Sequence, residues 1–288
     1  MGNRGKMFVF APLKNFSYEG DGEINLDKDL KIMRLAPAVI EEVEEVFARG
    51  FSPLKPDEIE NIRNHFDLYK EVFVERETSK IRKAFGEAEQ KFNDVVNALI
   101  LFKEKNVWIE VIYGVIDDLR YFTRLSEEVS DEIRTYKVTE KEVREFKQWW
   151  TKFCKVLKEN IYFKRALERF SETGKKARRV DYHLVDCIIG LESLFSEGPG
   201  DLRYKVSRRT AVFLAKGEMR RIYKNMKETY SLRNAIVHGK GLDYKKINNS
   251  YNKTNNYLRN CLKMIVEKEL PLKDKKDKNS FLEDLDIS

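Results

Sequence analysis

A mainly α-helical chain in two parts is what this sequence predicts. A mixed α/β N-terminal domain covers residues 1–138, an all-α domain covers 139–270, and a charged mobile tail covers 271–288. Three observations carry that reading. Short apolar pieces alternate over residues 7–35 around the turn chemistry of Glu19-Gly20-Asp21-Gly22. A capping box opens at Thr139-Glu140-Lys141-Glu142. From there apolar residues recur at helical period almost to the end of the chain.

Taken in order, Phe8 and Phe10, Phe16 and Tyr18, Ile24 and Leu26, and Leu30 and Ile32 predict a small antiparallel hairpin or three-stranded sheet. Pro37 then starts a helix through Val39, Ile40, Val43, Val46 and Phe47, with Gly50 just past its end. Ser52-Pro53-Leu54-Lys55-Pro56 is a loop. Phe66–Glu75 fits a strand or a helix equally. Ile81, Phe85, Ala88, Phe92, Val95, Leu99 and Phe102 share one side of a helix over 80–103. Residues 106–115 are β-branched and aromatic, a strand, and a polar connector runs from Ser126 to Tyr136. The helical pieces then run from the capping box to about Ser171, and over 177–195, 202–216, 218–238 and 244–269. Ser196–Gly200 and Lys216-Gly217 are the joints, the second tight enough for neighbouring helices.

Composition narrows the function classes. No run of about 18 apolar residues exists, so no membrane span is expected. Met1–Lys6 lacks a signal-peptide core, and Lys6 stands where a myristoylation motif needs Ser or Thr. Cys154, Cys187 and Cys261 are odd in number and far apart, which fits buried thiols in a reducing, cytoplasmic compartment. With only His65, His183 and His238 beside them, no metal-ligand spacing can be assembled, and no cofactor is expected. The formal charge is +7, yet between Asp201 and Lys268 17 Lys or Arg stand against 5 Asp or Glu, a net +12, leaving −5 for the rest. Such an excess fits either a polyanion partner or a solvated Lys-rich surface.

The candidate site lies on that segment, in Tyr230-Ser231-Leu232-Arg233-Asn234-Ala235-Ile236-Val237-His238-Gly239. A fixed cation, an amide and an imidazole fall within the last turns of a helix that Gly239 ends. Asn234 and His238 share a face, whereas Arg233 and His238 diverge by about 140°. One copy makes an awkward site; two copies across a dimer seam would make a better one.

Arg233-x4-His238, with a polar residue directly after the Arg, resembles the R-x4–6-H signature of HEPN ribonucleases. Leu191-Glu192-Ser193-Leu194-Phe195, Arg209-Thr210-Ala211-Val212-Phe213-Leu214 and Tyr230–Gly239, in that order, are similar to the Apea-like HEPN family of abortive-infection and phage-defence proteins. The resemblance implies a HEPN-type bundle of four or five helices in the C-terminal part. It implies a homodimer with two motifs in one cleft and an endoribonuclease that needs no metal. In that reading His238 assists attack of the 2′-hydroxyl of single-stranded RNA on the adjacent phosphate, and Arg233 holds the phosphate. A 2′,3′-cyclic phosphate and a 5′-hydroxyl result, and DNA is not cut. The setting implied is antiviral defence or toxin-like growth arrest. The N-terminal half would act as sensor, regulator or dimer support, with a regulatory protein as a further partner.

Each residue also has a plainer reading. His238 caps its own helix end, or works as acid or base. Arg233 pairs with an acid, or holds a phosphate. Asn234 orients His238, binds a ribose or phosphate oxygen, or faces water. Glu192 sits in an apolar run and wants Arg209 or Arg233 as a supporting ion pair. Tyr230 packs the bundle or stacks on a base. Arg208, Arg209, Arg220, Arg221, Lys224 and Lys240 are the expected RNA-binding cations, with Lys227 beside them and tyrosines such as Tyr204 and Tyr223 interleaved. The alternative function is a non-catalytic basic helical module binding RNA, a nucleotide or a protein.

Overall fold

Strand β1, Arg4–Lys14, is flanked on both sides, and this explains its length and its nearly continuous burial. The computed structural model describes residues 4–20, 22–49, 54–104, 106–117, 119–124, 135–173, 179–198, 200–214, 217–240 and 243–287. Two compact units divide at Gln148/Trp149, each built around its own core. The described chain is mainly α, with an antiparallel sheet in the first unit.

In that first unit β2 (Phe16–Tyr18), β3 (Ile24–Asp27) and β4 (Leu30–Met33) precede helices α1 (Pro37–Ala48) and α2 (Pro56–Asn64). Then come β5 (Phe66–Glu75), α3 (Thr78–Phe102), β6 (Trp108–Ile109), β7 (Val111–Ile116), β8 (Leu119–Arg124) and β9 (Tyr136–Val138). The order is β3-β4-β5-β1-β7-β8, all antiparallel, with β6 on β1 and a separate parallel pair β2-β9. The small hairpin expected over 7–35 is thus only part of a larger sheet. The ambiguous Phe66–Glu75 run is a strand because β1 and β4 take its hydrogen bonds on both sides. On one sheet face α1 packs Ile40, Val43, Val46 and Phe47 onto Phe10, Tyr69 and Tyr113. On the other, α3 presses Phe85 so close to β7 that a Cβ at Gly114 would stand 2.7 Å from its ring. Asp67, opposite Pro12 and Met33, is fully buried with no hydrogen-bond partner on either carboxylate oxygen among the described residues. The expected helix stop at Gly50, the loop start at Ser52-Pro53 and most of the 126–136 connector lie outside the described residues.

The division between the units falls inside α4 (Glu140–Glu159). Its capping box is made: the Glu142 N–H donates to Thr139 Oγ1 at 3.3 Å and the Thr139 N–H to Glu142 Oε2 at 3.0 Å. The helical run expected to reach Ser171 breaks at Asn160, whose side chain caps α5 (Ile161–Glu172) by accepting from the Phe163 N–H at 2.8 Å. The second unit continues with α6 (Val180–Phe195), α7 (Leu202–Leu214), α8 (Met219–Val237) and α9 (Tyr244–Lys268). Helix α6 is the central element and touches α5, α7, α8 and α9, which is why its sequence is apolar nearly all round. Among the described residues, no helix is long and apolar enough to cross a membrane.

The expectation of a mobile tail over 271–288 is corrected. Lys275–Ile287 forms helix α10, which packs on α7 with Leu282 and Leu285 buried. Electrostatics hold it there. Arg209, 3% exposed, grips Asp286 at 2.5 Å and also Glu197, and donates to the Phe195 carbonyl at 2.9 Å. Arg208 donates to the terminal carbonyls of Leu285 and Asp286 at 3.0 Å, satisfying the helix end. Lys278 is buried and donates to the Ser193 carbonyl at 2.7 Å; burial lowers its pKa to about 8.

An acid limit follows from this clasp. The Arg209 guanidinium holds the Glu197 carboxyl down at about 2. Its stabilisation is therefore complete above the unfolded value of about 4.3 and is lost as pH falls through about 2. Arg209→Ala should cost about 2 kcal/mol, less than for a fully buried pair because Glu197 and Asp286 are partly exposed. Amide hydrogen exchange would locate the loss in Lys275–Ile287. Unchanged protection there would refute the clasp.

Candidate functional site

Helix α8 ends as its sequence demands. His238 is its C-cap, and Gly239 adopts φ +69, a left-handed geometry that glycine takes without steric cost. The Gly239 N–H donates to the Ile236 carbonyl at 3.0 Å and the Lys240 N–H to the Ala235 carbonyl at 2.9 Å, which closes a Schellman motif. Leu232 and Ile236 clamp this last stretch against Leu184 and Val180 of α6 and Ile247 and Tyr251 of α9. A firmly anchored turn thus carries exposed Asn234, His238, Gly239 and Lys240.

Arg233 stands differently. It is half-buried, its Nη1 lies 3.5 Å from Asn234 Oδ1, and its buried Nε has no acceptor among the described residues. No carboxylate among the described residues forms an ion pair with it either. Among the described residues the guanidinium is a cation without a counter-ion, 3.5 Å from Asn234, the side chain that shares a face with His238.

Among the described residues Glu192 makes no ion pair, with Arg209, Arg233 or any other cation, so the expected supporting pair is not formed there. Its carboxylate accepts from the Tyr230 hydroxyl at 3.1 Å, while Arg209 is committed to Glu197 and Asp286. Tyr230 is buried, so no base can stack on it, and burial together with Glu192 pushes its hydroxyl far above the usual tyrosine range. Arg233 is near enough to pull that value the other way. Tyr230 therefore packs in the bundle and holds Glu192.

The basic residues separate into two sets. Arg208 and Arg209 belong to the α10 clasp and are removed from the RNA-binding expectation. Arg221 is exposed but paired with Glu218. A different set lines a groove of about 750 Å³: Arg203 from α7, Arg220, Lys224 and Lys227 from α8, and Lys246 from α9. None of these five forms an ion pair among the described residues, and Glu228 is the one acid in the lining. Tyr223 is in the wall, with Lys227 over its ring at 5.3 Å and the exposed Tyr204 edge-on at 6.3 Å. Arg220 and His238 are five turns apart at 3.6 residues per turn, so the groove and the imidazole share one side of α8.

Sequence reasoning missed Arg203 and Lys246 as members of this set. It contained a partial signal, since residues 220, 224, 227 and 231 follow helical spacing, but which cations stay unpaired depends on acids supplied from distant segments. Comparison with family models, curated proteins and solved structures returned no match.

Proposed function

We propose that the chain is an endoribonuclease of HEPN type that cuts single-stranded RNA without a metal, its second unit being the HEPN bundle. The observations that carry this reading are a guanidinium, Arg233, with no counter-ion among the described residues, and an exposed imidazole, His238, on the last turns of the same helix that lines a basic groove.

The chemistry uses the substrate's own nucleophile. A neutral His238 imidazole accepts the proton of the 2′-hydroxyl, the 2′-oxygen bonds to the adjacent phosphorus, and the bond from phosphorus to the 5′-oxygen breaks. An imidazolium, the second copy's His238 in a face-to-face dimer, returns a proton to that 5′-oxygen. One strand thus yields a 2′,3′-cyclic phosphate and a 5′-hydroxyl. Arg233 donates to the non-bridging phosphate oxygens, where negative charge grows in the transition state. Asn234, within reach of the guanidinium, orients it. A dimer also answers the geometry, because Arg233 and His238 leave one helix about 140° apart. The same divergence favours the second reading, a non-catalytic basic module for RNA, a nucleotide or a protein.

The biological setting that fits is phage defence or growth arrest in the cytoplasm. Purified protein incubated with single-stranded RNA in EDTA tests the function. Cleavage of RNA with matched DNA left intact supports the enzyme; binding without cutting leaves the module.

A further inference from the structure

We infer that the groove between α7, α8 and α9 is a track for one strand of nucleic acid, in which Arg203, Arg220, Lys224, Lys227 and Lys246 hold phosphates while Tyr204 and Tyr223 stack on bases. The inference rests on the endoribonuclease reading and names how its substrate lies.

Three features of the groove select this ligand. The first is charge without compensation. Apart from Arg233, the other cations on α7 and α8 are neutralised: Lys205 pairs with Glu197 at 2.9 Å, Arg208 and Arg209 with Asp286, and Arg221 with Glu218. The five in the groove form no ion pair among the described residues, and five like charges brought together on three helices against the single carboxylate of Glu228 repel unless a further anion sits among them. The second is the tyrosine pair. Tyr204 is 54% exposed although its ring is large and apolar, and it meets Tyr223 in a T-shaped contact with ring centroids 6.3 Å apart. Rings beside phosphate-binding cations suit unpaired bases, whose faces are accessible only in a single strand. The third is direction. From Arg220 to His238 the helix axis runs about 27 Å at 1.5 Å per residue, with the groove on the same side as the imidazole. A strand lying along α8 would therefore pass from the cations to Asn234 and His238. Glu228 is the exception in this wall, a carboxylate that repels phosphate and so limits affinity.

Binding can be read apart from cleavage by using a strand that has no 2′-hydroxyl. Fluorescence anisotropy of a labelled dodecamer of deoxythymidine is expected to show a log–log salt slope of about −3.5, from five phosphate contacts on a single strand. The triple variant Arg220→Ala/Lys224→Ala/Lys227→Ala should reduce the slope to about −1.4. The charge-matched control Lys152→Ala/Lys155→Ala/Lys158→Ala, on α4, should leave it unchanged. Tyr204→Ala should weaken binding roughly tenfold with little change in slope. Glu228→Gln should tighten it. Equal loss in the two triple variants, or a Tyr204→Ala variant that binds as wild type, would overturn the track. Poly-glutamate that displaces the strand at equal residue concentration would overturn it in favour of an acidic protein.

The two readings fail separately. RNA cleavage unaffected by the groove triple variant removes the track and leaves the nuclease. Expected binding with no cleavage of RNA removes the nuclease and leaves the track.

Discussion

Replacing His238 with Ala is expected to lower RNA cleavage by about 10²–10⁴-fold, the usual worth of a positioned acid–base group. Arg233→Ala should lower it by about 10²–10³-fold, through loss of a donor to the growing phosphate charge. Both losses should appear in the rate at saturating RNA more than in affinity, because in the proposed track the groove cations supply most of the binding. Thermal unfolding separates the two residues. His238 is exposed, so its removal should leave stability unchanged. Arg233 has a buried Nε without an acceptor among the described residues, so Arg233→Ala should be neutral or slightly stabilising in the free protein. A large fall in stability with either variant would mean that the residue serves the bundle and not the reaction. Cleavage that survives both substitutions would end the assignment of the site.

The largest stability effect is expected at Asp67. Burial pushes its carboxyl well above the ordinary aspartate range, with exposed Arg34 pulling weakly in the opposite direction. The folded first unit therefore prefers the neutral acid. Its stability is greatest below the unfolded value of about 3.9 and falls as pH rises from there to the raised folded value, after which the cost is constant. Asp67→Asn removes the charge alone and should raise the unfolding midpoint at pH 7 but not at pH 3. Asp67→Leu also removes the unpaired polar atoms, on a face shared with Tyr69, and should stabilise further, by on the order of 1–3 kcal/mol. A midpoint at pH 7 that falls with both variants would show that the carboxylate has a partner.

Much of the local structure was legible, and the reasons are local. Thr139 and Glu142 are three apart and cap a helix because two backbone donors are satisfied within four residues. Gly239 ends α8 because its own φ permits the turn. What escaped depends on partners far along the chain. The ambiguous run at Phe66–Glu75 became a strand through β1, whose Leu13 faces Phe66 across the sheet. Asn160 reads as a polar residue inside a helical period, and only its bond to the Phe163 N–H marks a break. Helix α10 hides in a Lys-rich tail, although Lys278, Leu282 and Leu285 stand at helical spacing.

The same distinction governs the site. Asn234, His238 and Gly239 could be placed at a helix end from their own neighbourhood. The fates of Arg208, Arg209 and Arg220 could not, because Asp286 arrives from the far terminus to claim the first two. Charge counting pointed to the segment that carries both sets, and could not separate clasped cations from those that form no ion pair among the described residues.

The central claim is that RNA supplies the nucleophile while an imidazole and a guanidinium complete the reaction. Mass spectrometry of the termini left after incubation with RNA in EDTA tests it most directly. The account predicts 2′,3′-cyclic phosphate and 5′-hydroxyl ends, and no scission where a single 2′-deoxy nucleotide replaces the one at the cut. Ends bearing 5′-phosphate and 3′-hydroxyl, or scission that persists at the 2′-deoxy position, would contradict it.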